Sequence, residues 1–512
     1  ALALLEQSAF GQFTTVINSP PDPAPDEIDS DTQLNLFEGS VLSRRTRIGA
    51  SDGSSTNIEL NIFSGVFAAE IAVNPNSTVN MRGGALRWIR VDDSVVTIFD
   101  GSIASVGALG STAIEFRDGL IGSFSMGGDS SLDVSGGRVD GSVYLGDKSS
   151  AKFSGGSVAG DIFGSRESSL EIVGGEFLID GESIAGLSQP GDAKSIDMTG
   201  ATVLSGTLAD GSPFSLTPQR ADWSDLFVEG ALSLYVADLP VAGPPVIEVP
   251  RDSAPFGIRA GQTVIVEGPE ELPKIPPEQR IPFFDSPGQS GSTDWTLPRS
   301  FQAGPESTVQ VNSGFVASDV RAVSASIDIA GGFVAQGMRL FAGSELDMSG
   351  GSVVGVLADR SVARIEGGRV TASITLRRGS SMMVRGGDLE GIAVGDDSTL
   401  RLLGGTAKRI DSHENGVADV LPGAMAEKIV LRDASMVRVS GGRVNEALVQ
   451  SDAQLVVSGG TFGAVGAEEG GRVTVLGGEF RLNGEPLLEL EMVGESSVVD
   501  LEEAAVLSGI LA

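Results

Sequence analysis

One glycine recurs every 17 to 19 residues through about two thirds of this chain, each time inside the same short frame of alternating apolar positions. The frame is clearest at Leu132–Val139, and it returns 19 residues later at Ala151–Val158 and again at Leu170–Phe177. Residues five and three positions before the second glycine, and two after it, are apolar in every strong copy. Such alternation is typical of a β-strand with one buried face. The aligned glycines are Gly65, Gly84, Gly101, Gly119, Gly137, Gly156, Gly175, Gly332, Gly351, Gly368, Gly387, Gly405, Gly442, Gly460 and Gly478.

A fixed period of this length predicts a stacked repeat protein, in which each unit buries its apolar face only against its neighbours. About 18 residues per coil is too few for a strand plus a helix of ordinary length. Each coil is therefore predicted to hold two or three short parallel strands separated by corners. The Gly-Gly pair marks a corner that needs positive φ or close backbone approach. The step from Gly405 to Gly442 is 37 residues, which predicts two coils. The fold class is all-β, a parallel β-solenoid.

The position four residues before the aligned glycine is charged in several coils. It reads Asp133, Lys152 and Glu171 in the first half of the chain. In the second half it reads Asp328, Asp347 and Arg364. Since side chains alternate between the two faces of a strand, this column points outward, and opposite charges on adjacent coils are predicted to pair.

Composition agrees with a β-solenoid and excludes several functions. Seventy glycines in 512 residues and only 5% aromatic residues are typical of turns and small β-formers. The formal net charge of −33 repels nucleic acid and anionic membranes, so neither is a predicted partner. The chain has no cysteine, which excludes disulfides and thiolate metal sites. These features predict a soluble secreted protein.

A second duplication predicts two tandem modules. Gly174–Phe177 recurs at Gly477–Phe480, and Val203–Gly206 recurs at Val506–Gly509, both with an offset of 303 residues. Prolines are dense between the modules, which forbids long regular structure there. The predicted organisation is a signal-peptide remnant at 1–11, an N-terminal extension at 12–30, β-helix module 1 at 31–187, its exit or cap segment at 188–240, a linker at 241–253, module 2 at 254–480 with a proline-rich loop at 269–291, and a truncated exit segment at 481–512.

The first residues suggest export. Ala1–Leu5 is apolar, and Ala9 and Gly11 are small residues at the positions expected before a signal-peptidase cleavage site. We therefore predict a secreted, extracellular or cell-surface location. No other segment approaches the about 18 apolar residues that a membrane span needs. The first module continues at Asp210, whose counterpart in the second module would follow Ala512. We therefore predict that the exit segment of the second module is cut short, and a C-terminal anchor stays unidentified.

Residue types that support catalysis or metal binding are scarce. The single histidine, His413, lies in a polar insertion and is read as an exposed loop residue. With one histidine and no cysteine a multi-histidine metal site is excluded, and no catalytic residue is predicted. The adjacent carboxylates Asp92 and Asp93, and Asp396 and Asp397, are the candidate metal ligands. They are solvated corners, calcium ligands or a general acid/base pair, and solvated corners are the commonest case. No cofactor other than calcium is predicted.

Aromatic and basic residues suggest only secondary roles. Trp88, Trp223 and Trp295 are far apart in sequence and are read as cap and packing residues. The short basic clusters, read as solvated turns, are Arg44, Arg45 and Arg47 in the first module and Arg377 and Arg378 in the second.

The Gly-Gly frames resemble those of secreted bacterial parallel β-helix repeat proteins with the pectin-lyase-like fold, a group that includes adhesin passengers and polysaccharide lyases. Lyases of that fold carry basic catalytic residues and clustered calcium-binding aspartates, and the chain matches no such set. Coils of the family run longer than about 18 residues, so a left-handed helix of hexapeptides stays an alternative. The hexapeptide alternation is poor, and we favour the right-handed form.

The resemblance and the repeat together predict a secreted structural or surface-interaction scaffold, adhesin-like or glycan-binding. Its expected partners are extracellular polysaccharide or cell-surface components, engaged by multivalent display of repetitive faces. The competing hypothesis is a polysaccharide lyase or glycoside hydrolase, and a non-enzymatic role is favoured over it. End-to-end self-association is a third hypothesis.

Overall fold

A computed structural model describes residues 13–40, 42, 45–218, 226–228, 230–249, 251–252, 254–255, 257–268, 301–316, 319–482, 485–486 and 507–511. These residues form two compact units: 13–243 with 257–259 belong to unit 1, and 244–255, 260–268 and 301 onward belong to unit 2. They contain no helix, and each unit is built of parallel β-solenoid coils, about 23 in all. The predicted fold class is thus confirmed. The predicted signal remnant 1–11 and proline-rich loop 269–291 lie outside the described residues.

The strands of unit 1 are β1 Thr15–Ser19, β2 Glu27–Ile28, β3 Thr32–Leu36, β4 Thr46–Ile48, β5 Ile58–Ile62, β6 Phe67–Val73, β7 Ser77–Asp92, β8 Val95–Leu109, β9 Ala113–Phe116, β10 Leu120–Ile121, β11 Phe124–Met126, β12 Ser131–Val139, β13 Val143–Leu145, β14 Ser150–Val158, β15 Ile162–Gly164, β16 Ser169–Ile179, β17 Glu182–Ser183, β18 Ala193–Ser195, β19 Leu204–Leu208, β20 Pro213–Leu216, β21 Leu226–Val228, β22 Ala231–Val236 and β24 Gly257–Ile258.

The strands of unit 2 are β23 Val246–Val249, β25 Thr263–Val266, β26 Phe301–Ala303, β27 Thr308–Val311, β28 Phe315–Val316, β29 Asp319–Val323, β30 Ser326–Ile329, β31 Phe333–Val334, β32 Gly337–Phe341, β33 Glu345–Met348, β34 Ser352–Val353, β35 Val356–Asp359, β36 Val362–Ile365, β37 Arg369–Arg377, β38 Ser381–Val384, β39 Asp388–Val394, β40 Thr399–Leu402, β41 Gly405–Ser412, β42 Val417–Val420, β43 Ala424–Leu431, β44 Met436–Val449, β45 Gln454–Ala467, β46 Arg472–Val475, β47 Gly477–Leu482, β48 Glu485–Pro486 and β49 Leu507–Leu511.

A typical coil has three short strands, each paired in parallel with the same strand of the next coil. In unit 2, β33, β34 and β35 make one coil, and they pair with β36 and with the two halves of β37 in the next. Leu346, Met348 and Val353, which occupy the apolar positions of the repeat frame, are at most 1% exposed. The alternation of the sequence therefore does separate the core from the surface.

The Gly-Gly corners behave as predicted. Thirteen of the fifteen aligned glycines have positive φ, for example 69° at Gly137 and 72° at Gly351. The long step between Gly405 and Gly442 also holds an extra coil, because β42 pairs with β40 on one side and β44 on the other. Both observations confirm the coil length deduced from the repeat.

Many of the corners that follow a third strand contain a buried hydroxyl. A serine stands seven residues before the aligned glycine in many coils, as at Ser149, Ser344 and Ser380, each fully buried. Their hydroxyls donate to carbonyls three residues earlier at 2.7 Å. Ser380 also accepts from the Ser361 N–H of the preceding coil at 3.2 Å. Each hydroxyl thus adds a second hydrogen bond to a carbonyl that already accepts from the backbone N–H of the same serine, and the Ser380 hydroxyl also pairs the Ser361 N–H.

Both units extend beyond the sequence-based boundaries. In unit 1, β1 lies inside the predicted N-terminal extension and pairs in parallel with β3. In unit 2, β23 lies inside the predicted linker and pairs with β25. Neither strand is followed by a Gly-Gly pair, so the repeat frame did not reveal it.

The 303-residue duplication is visible in strand register. In unit 1, β16 pairs with β19 in antiparallel fashion, with Gly174 opposite Leu208 and Ile179 opposite Leu204. In unit 2, β47 pairs with β49 with Gly477 opposite Leu511 and Leu482 opposite Leu507. Every partner differs by 303, so the exit hairpin is the same structure in both units.

Candidate functional site

Three short strands of unit 1 present one outward residue each. β11, β13 and β15 are aligned so that Ser125 stands beside Tyr144, and Tyr144 beside Phe163. The residues flanking Ser125 and Tyr144 on their strands are buried, so the central side chain points away from the core. Neighbouring strands lie about 4.8 Å apart, which makes this column a surface ladder.

The rings of Tyr144 and Phe163 form a parallel stack along this column. Their centroids are 4.9 Å apart and their planes differ by 8°. On the other side of Tyr144 stands Ser125, which is too short to cover a ring. One face of the Tyr144 ring is therefore open, and the residue is 48% exposed. A flat ligand ring can extend the stack there.

Trp88 lies on the same side of unit 1, three coils earlier. Its strand position is aligned with Ser105, and its indole Nε1 lies 3.9 Å from where a Cβ would stand on Gly107. Trp88 is 42% exposed, so part of the indole is accessible to solvent and part of it packs on the neighbouring coil. We call the surface formed by Trp88, Ser105, Gly107, Ser123, Ser125, Tyr144 and Phe163 the aromatic face.

Small residues form the floor of the aromatic face between its two aromatic ends. Gly107 and Ser125 are aligned, and the hydroxyls of Ser105 and Ser123 lie 3.2 Å apart. Two coil steps, about 10 Å, separate Gly107 from Tyr144. Sequence analysis missed this surface, although Tyr144 and Phe163 are separated by one repeat period of 19 residues.

An open cavity of about 520 Å³ adjoins the strands of the aromatic face. It is formed by the turns that directly follow β11, β13 and β15. The turns are held together by hydrogen bonds, since Asp147 Oδ2 accepts from the Gly128 N–H at 2.9 Å and Ser165 Oγ donates to the Asp147 carbonyl at 2.9 Å. The lining residues, which include both anionic and cationic side chains, are Gly128, Asp129, Asp147, Lys148, Ser165, Arg166 and Glu167.

The candidate metal ligands of unit 1 lie at the end of β7, with Asp92 as its last residue and Asp93 directly after it. Asp93 has a φ of 41°, and its Oδ1 accepts from the backbone N–H of Ser111 on the next coil at 2.6 Å. Asp92 lies beside it. The Asp93 carboxylate thus accepts a hydrogen bond from the protein backbone. The calcium hypothesis for Asp92 and Asp93 stays a prediction.

Asp396 and Asp397, the candidate ligands of unit 2, lie at a corner where carboxylates from successive coils approach one another. Hydrogen bonding to Asp396, the negative charge of Asp396 and burial raise the pKa of the Glu414 carboxyl. Asp433 raises this pKa further, whereas His413 lowers it. In the described part of the chain no group of three or more His, Asp or Glu residues has the geometry of a metal site.

Because Glu414 lies close to the Asp396 carboxylate, we expect Glu414→Gln to stabilise the protein in a pH-dependent way. A raised carboxyl pKa means that ionisation of Glu414 destabilises the fold as the pH rises through its folded-state value. Removing the charge should therefore stabilise the protein at pH 7, but by about 0.5 kcal/mol at most because Glu414 is exposed and solvent screens its charge. The gain should vanish at pH values where Glu414 is protonated in both states. Urea unfolding at pH 7 and pH 3.5 measures this. Lower stability of the variant at pH 7 would contradict it.

His413 packs over the neighbouring coil. Its ring lies within 3.1 Å of where a Cβ would stand on Gly395, and its Nδ1 is 3.2 Å from the Val394 carbonyl oxygen. The side chain is partly buried, which differs from the exposed loop residue that was predicted. Glycine at position 395 makes room for the ring.

The basic clusters also have ionic partners. Arg45 pairs with Glu70 at 3.1 Å, while Arg44 lies outside the described residues. Arg378 pairs with Asp359 at 3.6 Å, and both side chains are largely buried. The Arg377–Arg378 turn is thus less solvated than predicted. Trp223 and Trp295 lie outside the described residues.

A carboxylate pair in unit 2 bears on the enzyme hypothesis. Asp328 and Asp347 are aligned on adjacent coils, and Asp347 pairs with Arg364 at 3.2 Å. Burial and the Asp347 charge raise the pKa of Asp328. The predicted pairing of outward charges is confirmed here, as it is for Lys152 and Asp133 at 3.4 Å.

The described residues include no helix long and apolar enough to cross a membrane. No protein-family model matches this chain, and comparison with the curated proteins and with the solved structures finds no match either. Functional inference therefore depends on the residues of the site.

Proposed function

We propose that this protein is a secreted structural or surface-interaction scaffold whose unit 1 binds polysaccharide on the aromatic face. The observation that carries the proposal is the open face of the Tyr144 ring beside a cavity lined by both hydrogen-bond donors and acceptors. The apolar N-terminal segment supports export.

The chemistry of the site suits a sugar. The C–H side of a pyranose ring is apolar and flat, so it packs against an exposed aromatic ring. Its hydroxyls both donate and accept hydrogen bonds, and they need partners of both kinds. Lys148 and Arg166 supply donors, whereas Asp129, Asp147 and Glu167 supply acceptors. A β-solenoid also presents such groups at regular intervals, which suits a repetitive polymer.

Tyr144→Ala should abolish most binding while leaving the fold intact. Removing the exposed ring deletes the stacking surface, and we expect affinity for polysaccharide to fall at least about tenfold. The matched control is Tyr235→Ala, because Tyr235 is the other tyrosine of the chain, lies in unit 1 and is 38% exposed. Binding is measured on a glycan array and then by calorimetry.

The same samples test the enzyme alternative, which Asp328 and Asp347 favour as a carboxylate pair with unlike environments. Release of new reducing ends or unsaturated products by the wild type, and its loss in Asp347→Asn, would replace the scaffold proposal with a hydrolase or lyase. Binding that Tyr144→Ala and Tyr235→Ala reduce equally would contradict the proposed site.

A further inference from the structure

We infer that unit 2 binds an extended polypeptide strand, in parallel register, on the coil that contains β46. The partner is a segment in which apolar residues alternate and an acidic residue stands opposite Arg472. We call the side of this coil formed by β46 and by residues 464–467 of β45 the end surface of unit 2. The inference is independent of the proposed function, because it concerns another unit and another kind of partner.

The 303-residue duplication supplies a covered copy of the end surface. β46 lies 303 residues after residues 169–172, which form the first part of β16. In unit 1 this part of β16 pairs in parallel with β22, with Leu170 opposite Leu232 and Ile172 opposite Leu234. The preceding strand of the same coil, β15, pairs in parallel with β21. In unit 1 two further strands, β21 and β22, therefore cover this coil.

The same strand edges of unit 2 carry no further strand among the residues that the structure describes. β46 pairs with β45 on one edge, and none of the described strands pairs with its other edge. Residues 464–467 of β45 likewise pair only with β44 within the described chain. An edge strand presents backbone N–H and C=O groups that an added strand can pair with.

Apolar side chains of the end surface lack the cover that their counterparts have in unit 1. Ile162 is 2% exposed, whereas Val465, which occupies the same position 303 residues later, is 44% exposed. Leu170 is 0% exposed, whereas Val473 is only partly buried. An added strand would remove this apolar surface from water, which favours association.

The apolar pattern of the partner follows from the register of the covered copy. In β22 the residues that cover the core are Leu232 and Leu234, which are 5% and 0% exposed, and Ser233 between them faces outward. A strand in the same register on β46 places its apolar side chains opposite Val473 and Val475, which are partly buried. Backbone hydrogen bonds hold such a strand, and the alternate side chains select it.

Arg472 adds a charge preference. It is exposed, and it occupies the position of Ser169, which is aligned with Ala231 of β22. Arg472 has no ion-pair partner in the described part of the chain. Opposite charges aligned on adjacent strands attract each other, as Lys152 and Asp133 do in unit 1 at 3.4 Å. We therefore expect an acidic residue at the partner position opposite Arg472.

A synthetic peptide of residues 224–240, which spans β21 and β22, is the probe for the end surface. Fluorescence anisotropy measures its binding to the whole chain, and we expect a Kd of about 100 µM or below. Leu232→Ser and Leu234→Ser in the peptide should together weaken binding at least about tenfold, because they remove the apolar groups that cover the core. No binding at about 1 mM, or equal binding of the two peptides, would overturn the inference.

Hydrogen exchange locates the bound peptide. Exchange of residues 464–475 should become slower, whereas exchange of residues 162–172 should not change, because β21 and β22 of the chain already cover them. Slower exchange in residues 162–172 alone would show that the peptide replaces a strand of unit 1. That result would overturn the assignment to unit 2.

Val473→Asp tests the end surface from the side of the protein. It places a charge where an apolar side chain of the partner must pack, so we expect at least about tenfold weaker binding of the peptide. The matched control is Thr474→Asp, which adds the same charge at the outward position of the same strand and should change the affinity less than about threefold. Equal losses in the two folded variants would contradict packing against Val473. Far-UV circular dichroism confirms that both variants are folded.

Two further peptides test the charge preference. Ala231→Glu in the peptide should bind about two- to fivefold more tightly than Ala231→Lys at low salt, and the difference should shrink at high salt. Equal affinities of these two peptides would overturn the preference for an acidic residue opposite Arg472.

Light scattering of the chain alone tests a second copy of the chain as the partner. We expect the mass of one chain at the concentrations of the binding experiment. Concentration-dependent association that slows exchange in residues 464–475, and that the peptide does not reverse, would identify a second copy as the partner. That outcome would overturn the partner that we infer.

Discussion

Gly351→Ala is expected to destabilise unit 2 by about 3 kcal/mol or more, far beyond the cost of an ordinary glycine substitution. Gly351 has a φ of 72°, a conformation that costs alanine about 1–2 kcal/mol. A Cβ there would also stand 2.7 Å from the Gly331 carbonyl oxygen and 2.8 Å from the Gly331 carbonyl carbon. Because these are backbone atoms of the preceding coil, the contact is relieved only by separating two coils.

Gly343→Ala is the matched control for this prediction. Gly343 precedes the same coil and has a φ of 83°, but no atom lies within 4 Å of its added Cβ. We expect a cost of only about 1–2 kcal/mol, from the backbone alone. Urea unfolding compares the two variants, and hydrogen exchange of the peptides covering β30 and β33 locates the damage. Equal destabilisation by Gly351→Ala and Gly343→Ala would show that the close approach of two coils at Gly351 does not add to the cost of the substitution.

Phe124→Ala is expected to cost about 3–5 kcal/mol, because it removes a fully buried aromatic side chain. Phe124 is 0% exposed, and its ring centroid lies 6.0 Å from that of Phe116. Each coil contacts only its neighbours, so the loss should be local. Hydrogen exchange should accelerate in β9 and β12 and remain unchanged in unit 2.

The control for the core substitution is Phe315→Ala. Phe315 is only partly buried, although its ring is also paired, with the Phe333 centroid 5.5 Å away. Its removal should cost less than half as much, since less apolar surface loses its burial. Similar costs for the two variants, or faster exchange spread over both units after Phe124→Ala, would contradict a core built coil by coil.

Much of the fold could be predicted because the repeat frame is local. An apolar residue every second position and a glycine at a fixed distance predict a strand, its buried face and its corner without any knowledge of distant residues. Leu346 and Met348 are buried for this reason. The buried serine seven residues before the glycine belongs to the same frame, and its recurrence was overlooked.

The frame fails where coil length varies. Asn18, Asn35, Asn61 and Asn80 form a ladder of side-chain amides, linked by hydrogen bonds of 2.9 to 3.1 Å. The sequence steps between them are 17, 26 and 19 residues, and the long middle step hides the repeat. Only the aligned strands β1, β3, β5 and β7 reveal the ladder.

The amino-acid sequence by itself determined the solenoid, its coil length, its glycine corners and its duplication. The reason is that each coil buries the same apolar positions against its neighbours and turns at the same corner, so the same residue types recur in every coil. The aromatic face was decided only by the tertiary structure. Outward positions carry no packing requirement, so nothing in the frame marks them. Trp88 and Tyr144 are 56 residues apart in sequence, and stacking of coils places them three coil steps apart on one surface.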